Sequence, residues 1–229
     1  MFAARLLIYF TPYNFTPSAM IHEALSLIRD ELVTYLSANG YTLNNAKDIV
    51  LIENIGLYDS SSSGVNFDDK IIMTLVNIEE ESTLKNSSFI KKDPGGFARY
   101  ENPPVFLNLY VLLTTCNKST DDKSYRDALE RLSLVIRFFQ GRNQFSLATA
   151  SGPVDLTNVT EDVLKLRVTA ELYTLTFEQI NHLWGTLGGK QMPFVMYKLR
   201  LVEIKEARVI REVPLIEEIE TNFNSINAK

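Results

Sequence analysis

The sequence predicts an α+β protein with a single mixed, largely antiparallel sheet flanked by helices. Three observations carry that prediction. Strand-like segments outnumber helical ones and partly follow one another, in the order α-β-β-β-α-β-α-β plus a tail, which does not fit a doubly wound parallel fold. The segment Val105–Thr114 is apolar on both faces, so it belongs in the middle of a sheet covered on both sides. The segment Leu164–Leu175 alternates, which marks a strand with one wet face.

Composition narrows the classes of function. The chain has 229 residues, 45% hydrophobic and 22% charged, so a folded core is expected and wholesale disorder is not. Lys and Arg total 23 against 28 Asp and Glu, a net charge of -5 that argues against non-specific nucleic-acid binding. One cysteine, Cys116, excludes an intrachain disulfide framework. Two histidines, His22 and His182, leave too few soft ligands for a His/Cys metal centre. No apolar run reaches the ~20 residues of a membrane-spanning helix. The expectation is a soluble domain without a cofactor, a metal, a membrane or a nucleic-acid partner.

Residues 1–19 contain the apolar run MFAARLLIYF and then TPYNFTPSA, which has some features of a signal peptide cut near Ala19. Aromatic and Pro residues break the segment. An N-terminal extension, or a translation start misassigned ahead of Met20, is the reading adopted. Helix one is expected at about 17–38, with Ala24, Leu25, Ile28, Leu32 and Leu36 on one face and Asn39-Gly40 as its stop. Short apolar stretches follow at Ile49–Ile52 and Ile55–Tyr58, then a loop at Ser60–Gly64 and a strand at Lys70–Ile78. Glu79–Asn102 shows no periodicity and is expected to be a long loop, a class that is usually functional or mobile. Lys85, Lys91, Lys92 and Arg99 make it locally basic. Helix two, about 121–140, has the stripe Tyr125, Ala128, Leu129, Leu132, Val135, Ile136 and Phe139 expected to face the core. Arg142–Asp162 reads as irregular. Helix three starts after Thr176, which has capping-box spacing to Gln179, and should turn Phe177, Ile180, Leu183, Trp184 and Leu187 inward before Gly188-Gly189. In the strand Phe194–Ile204, Val195, Tyr197, Leu199 and Leu201 share one face, and Lys198 and Arg200 the other. Residues 206–229 form a charged tail whose Val209, Ile210 and Val213 suit an extended arm. One domain, 20–205, is expected between extension and tail.

No catalytic constellation emerges. GTLGGK at 185–190 fails the phosphate-loop spacing and sits where a helix ends. His182 and His22 have no nucleophile nearby in sequence, Cys116 ends an apolar strand, and Glu79-Glu80-Glu81 reads as solvated surface.

Five stretches together resemble a known family: MIHEALSLIRDELVTYL (20–36), IIMTLVNIEEESTLKN (71–86), NPPVFLNLYVLLTT (102–115), YRDALERLSLVIRFFQG (125–141) and ELYTLTFEQINHLWGTLGGKQMPFVMYKLRLV (171–202). They are similar to the cap, or tail-terminator, proteins of extracellular contractile injection systems, the phage-tail-like particles of antifeeding-prophage and virulence-cassette type. The likeness runs from Met20 to about Ile204. It implies a non-enzymatic structural cap that forms a six-fold ring on the inner tube and sheath, ends their polymerisation and couples the last sheath layer to the tube. It also implies assembly in the bacterial cytoplasm into a particle that is released. Subunit or partner contacts are expected at Lys85, Lys91, Lys92, Arg99, Lys198, Arg200, Val209, Ile210 and Val213. The competing reading is a soluble small-molecule-binding protein or enzyme with an unrecognised pocket.

Overall fold

The computed structural model describes residues 20–41, 49–58, 66–81, 90–92, 97–117, 122–150, 164–204 and 209–214. Residues 1–19, the loop Ser60–Gly64 and Lys85 lie outside them, as do 151–163 and 215–229. The architecture is α+β, with three α-helices and two sheets among the described residues.

The main sheet has six strands, named here in chain order: β1 (Val50–Ile52), β2 (Ile71–Glu80), β5 (Val105–Thr115), β6 (Gln144–Ser146), β7 (Arg167–Leu172) and β8 (Phe194–Ile204). Their spatial order is β1-β2-β5-β8-β7-β6. Only the β1–β2 pair is parallel; every other pairing is antiparallel. β5 lies inside the sheet, as its two apolar faces require. Leu109, Val111 and Leu113 are buried on one side, Tyr110 and Leu112 on the other.

Each face has its own cover. Helices α1 (Met20–Ala38) and α2 (Asp122–Gly141) lie on the first. Ile28, Leu32 and Leu36 of α1 meet Val111, Leu113, Tyr197 and Leu199 there, with Phe138 and Phe139 of α2. Phe139 stacks on Tyr197 with ring centroids 4.0 Å apart. Helix α3 (Phe177–Thr186) covers the second face through Trp184, against Ile72, Leu112 and Met196. Its capping box is formed as the sequence predicts: Thr176 accepts from the Gln179 N–H, and the Gln179 side chain accepts from the Thr176 N–H. Gly188 and Gly189 end it with φ of 107° and 83°, a conformation that L side chains resist, and the Gly189 N–H returns to the Trp184 carbonyl. Phe177 departs from the expectation. It is the first helical residue, it points away from the sheet, and it is 88% exposed.

Two bulges change which residues share a face. The register of β2 on β5 slips between Leu75 and Asn77, so Ile78, opposite Leu109, turns to the α1–α2 face. On β8 the pairing jumps from Leu109↔Leu199 to Leu107↔Val202, and Val202 joins the buried core in the place expected for Leu201.

The expected loop at 79–102 is the main correction. β2 continues through Glu80, and β3 (Ile90–Lys92) and β4 (Phe97–Glu101) follow within it. The expected tail contributes β9 (Val209–Pro214), and the second sheet has the order β3-β4-β9, antiparallel throughout. Non-local pairing, which no sequence period announces, builds this sheet.

Candidate functional site

Two surfaces hold the residues singled out from the sequence. The first is the three-stranded sheet. The basic segment and the tail, more than one hundred residues apart, become neighbours there because β9 pairs with β4. Register places Lys91, Arg99 and Glu212 in one cross-strand row, and Lys92, Ala98 and Val213 in the next, which faces the other way. Ala98 is buried and Val213 half-buried. Val209 pairs with Glu101, and Ile210 lies beside it across a register shift. β3 and β9 are the two edges of this sheet.

The second surface is the part of the main sheet's second face that α3 leaves uncovered. Lys198 and Arg200 both lie here, as their alternation predicts, and both engage groups of their own chain. Arg200 reaches Glu171 on β7 at 3.0 Å and Glu81, just past β2, at 3.6 Å. Asn108 donates to the same Glu81 carboxylate at 3.0 Å. Tyr110 donates its hydroxyl to Glu79 at 2.7 Å, and Lys198 Nζ sits 5.5 Å from the centre of the Tyr110 ring. The hydrogen bond to Glu79 is the main reason the Tyr110 hydroxyl is pushed up to about 12, with burial second. The hydrogen bond to Glu171, with the attraction of that carboxylate second, raises the Arg200 guanidinium further above its already high value. Glu79 and Glu81, expected as solvated surface, are thus two anchors of a belt that crosses β2, β5, β8 and β7. Such a belt fixes strand positions; its cations are largely answered by its own carboxylates.

The residues weighed for chemistry lie apart. His22 and His182 are exposed on α1 and α3. Cys116 is fully buried, its Sγ 3.7 Å from Met192 Sδ, and burial pushes its thiol up to about 12. A thiol in that state is a poor nucleophile near neutral pH. An open groove of about 470 Å³ runs between the β1–β2 edge and the end of α3. Its Thr74 hydroxyl already donates to the Glu53 carbonyl at 2.6 Å and accepts from the Ile55 N–H at 3.1 Å. That hydroxyl secures the turn after β1.

Sequence reasoning missed two arginines. Buried Arg131 on α2 donates to the Cys116 carbonyl at 2.6 Å and sits 5.8 Å from the Tyr41 ring centre. Arg142, just beyond α2, pairs with buried Glu31 of α1 and also donates to the Thr149 and Gln144 carbonyls. A charged residue on a predicted core-facing side of a helix, as Arg131 and Glu31 are, was the available signal.

Residues 24–218 match the Pvc16 N-terminal domain family, so the match runs past Ile204 and takes in β9. Two solved structures share the fold. One is the sheath/tube terminator of an extracellular contractile injection system, PVC, in its extended state, with 13% identity and a TM-score of 0.57 over 89% of this chain and 63% of that one. The other is the anti-feeding prophage cap, a tube-terminating cap, with 14% identity and a TM-score of 0.56 over 87% of this chain and 60% of that one. Both are structural cap or terminator proteins, and this chain spans less than two thirds of the length of either. A comparison with curated proteins finds no match. With the family matched over most of its length and the fold shared with two terminators, the chain belongs to the Pvc16 N-terminal domain family.

Proposed function

We propose that the protein is a structural cap of a contractile injection particle, ending growth of the inner tube and the surrounding sheath. The observation that supports it most is the fold shared with a sheath/tube terminator and a tube-terminating cap. The chain's own surfaces suit the role. Its basic segment and its tail form one small sheet with two strand edges, and an extended segment of a partner can add to such an edge through backbone hydrogen bonds. We take Lys85, Lys91, Lys92, Arg99, Val209, Ile210 and Val213 as the residues that meet tube or sheath. Lys198 and Arg200 act within the subunit. The assembled form is a six-membered ring, made in the bacterial cytoplasm and carried out with the particle, and no chemical step is involved.

The test is reconstitution. Tube and sheath subunits of the cognate particle, polymerised with increasing amounts of this protein, should give progressively shorter and more uniform assemblies by electron microscopy, with added density at one end. Length distributions that do not respond to its concentration refute the reading.

A further inference from the structure

We infer that copies of this chain bind head to tail, with the outer flank of α2 on one copy lying across the uncovered end of the main sheet on the next. Four observations support it. The stripe expected to face the core on α2 is too wide for the core. Ala128, Val135 and Phe139 are buried, but Tyr125, Leu129 and Ile136 are 53%, 40% and 42% exposed, with half-buried Leu132 between them. They recur at four, three and four residues, one continuous stripe of about 16 Å at 1.5 Å per residue.

The main sheet has the matching deficit. On its α1–α2 face, β2, β5 and β8 run on past the helices. Ile78, Val105 and Ile204 are there 45%, 42% and 37% exposed. Register makes them one patch: Val105 pairs with Ile204, and Ile78 pairs with Leu109, two residues along the same face from half-buried Leu107. The patch covers three strands, about 10 Å across at the usual strand spacing, a width that one helix fills. An apolar sheet face is normally closed by a helix, and an apolar helix stripe by a sheet or another helix.

Charge agrees in sign. Arg126, Glu130 and Arg137 flank the α2 stripe and are exposed, while Asp127, the other acid between the two arginines in sequence, is half-buried. Glu80 lies on the same face as the sheet patch, opposite Leu107. Finally, the two patches are different surfaces of one subunit. Contact between them is heterologous, so it propagates from copy to copy and gives a ring if the rotation closes. The inference rests on the cap reading only in taking copies of the chain to associate with one another.

Two single substitutions test it on the full chain by native mass spectrometry and sedimentation. Leu129→Glu spoils the helix stripe and Val105→Glu the sheet patch. The unsubstituted protein should form a closed oligomer. Each variant alone should be monomeric, with assembly weakened at least ~100-fold in concentration, given a carboxylate buried without a partner. Both should keep the far-ultraviolet spectrum and a cooperative melt. Mixed one to one, the variants retain a single intact pairing per pair of chains, so they should give a heterodimer and nothing larger. A wild-type chain that stays monomeric overturns the inference, as does unimpaired assembly of either variant or a mixture that remains monomeric. Failure of the cap reading would appear elsewhere, as a ring that assembles normally and leaves tube and sheath lengths unchanged.

Discussion

Arg142→Ala removes the one guanidinium that ties together α1, the end of α2 and the short β6 segment. In the native fold it pairs with Glu31, whose side chain is 5% exposed, and it is itself 25% exposed. Its Nη2 donates to the Thr149 carbonyl at 2.6 Å and hydroxyl at 2.8 Å, and its Nε donates to the Gln144 carbonyl at 3.1 Å. The guanidinium carbon lies 5.3 Å from the centre of the Phe145 ring. The acceptors on Thr149 and Gln144 are exposed and can turn to water, so their loss costs little. The Glu31 carboxylate is different. Breaking a buried pair from one side costs about 3–5 kcal/mol, and partial exposure of Arg142 places this one near the lower end, ~3 kcal/mol. For a chain of this size each kcal/mol moves Tm by about 2–4 °C, so the variant should melt roughly 6–12 °C lower. Chemical denaturation followed by circular dichroism gives the free energy, and calorimetry the Tm. Replacing both partners, Glu31→Leu with Arg142→Met, removes the charge from the interior and should recover most of the loss. A single-variant cost below ~1 kcal/mol, or a double variant no better than the single, refutes the assignment of the pair as a buried tie.

Two other predictions concern groups at opposite ends of the fold. The Cys116 thiol, with its folded pKa raised from 9.0 to about 12 by burial, stays protonated in the native state while the unfolded chain ionises. Its contribution to stability is therefore complete below pH 9 and lost as pH rises from 9 toward 12, and Cys116→Ala should flatten that part of the stability profile. A native protein that reacts with a thiol alkylator at pH 7.5 as fast as the denatured chain would contradict the buried thiol. Deleting 206–229 removes β9 but no strand of the main sheet. The cooperative melt should survive, while amide protection at Phe97–Glu101, which pairs with β9, should fall; collapse of the whole transition would mean that the small sheet is part of the cooperative core.

What was legible in the sequence is what local period can express. β5 declared itself by being apolar on both sides, α1 by its regular stripe, and the start of α3 by Thr176 and Gln179. The failures share a physical origin in contacts between residues far apart in the chain. Nothing near Glu212 and Val213 says that Arg99 and Ala98 are their partners in the small sheet, so a long basic loop and a charged tail or arm were expected where there are three paired strands. A bulge costs one residue of register and no change of composition, and Leu201 was therefore given the face that Val202 takes. On α2 the period was right and the width was wrong. Periodicity identifies an apolar flank, but it does not tell whether the flank is closed within the subunit. The polar belt was half legible: the alternation set Lys198 and Arg200 on one face, while the carboxylates that hold Arg200 come from two other strands or strand ends.

The lengths of the outer strands have a consequence for how the protein behaves before it finds a partner. β1 and β6, which bound the main sheet, are three residues each, whereas the inner β5 and β8 run to eleven. A long bare margin is a template on which like chains stack without limit, and short margins deny it a foothold. The outermost strands of the large sheet thus offer like chains little length to stack on, and in the small sheet the six-residue β9 is a longer edge than the three-residue β3.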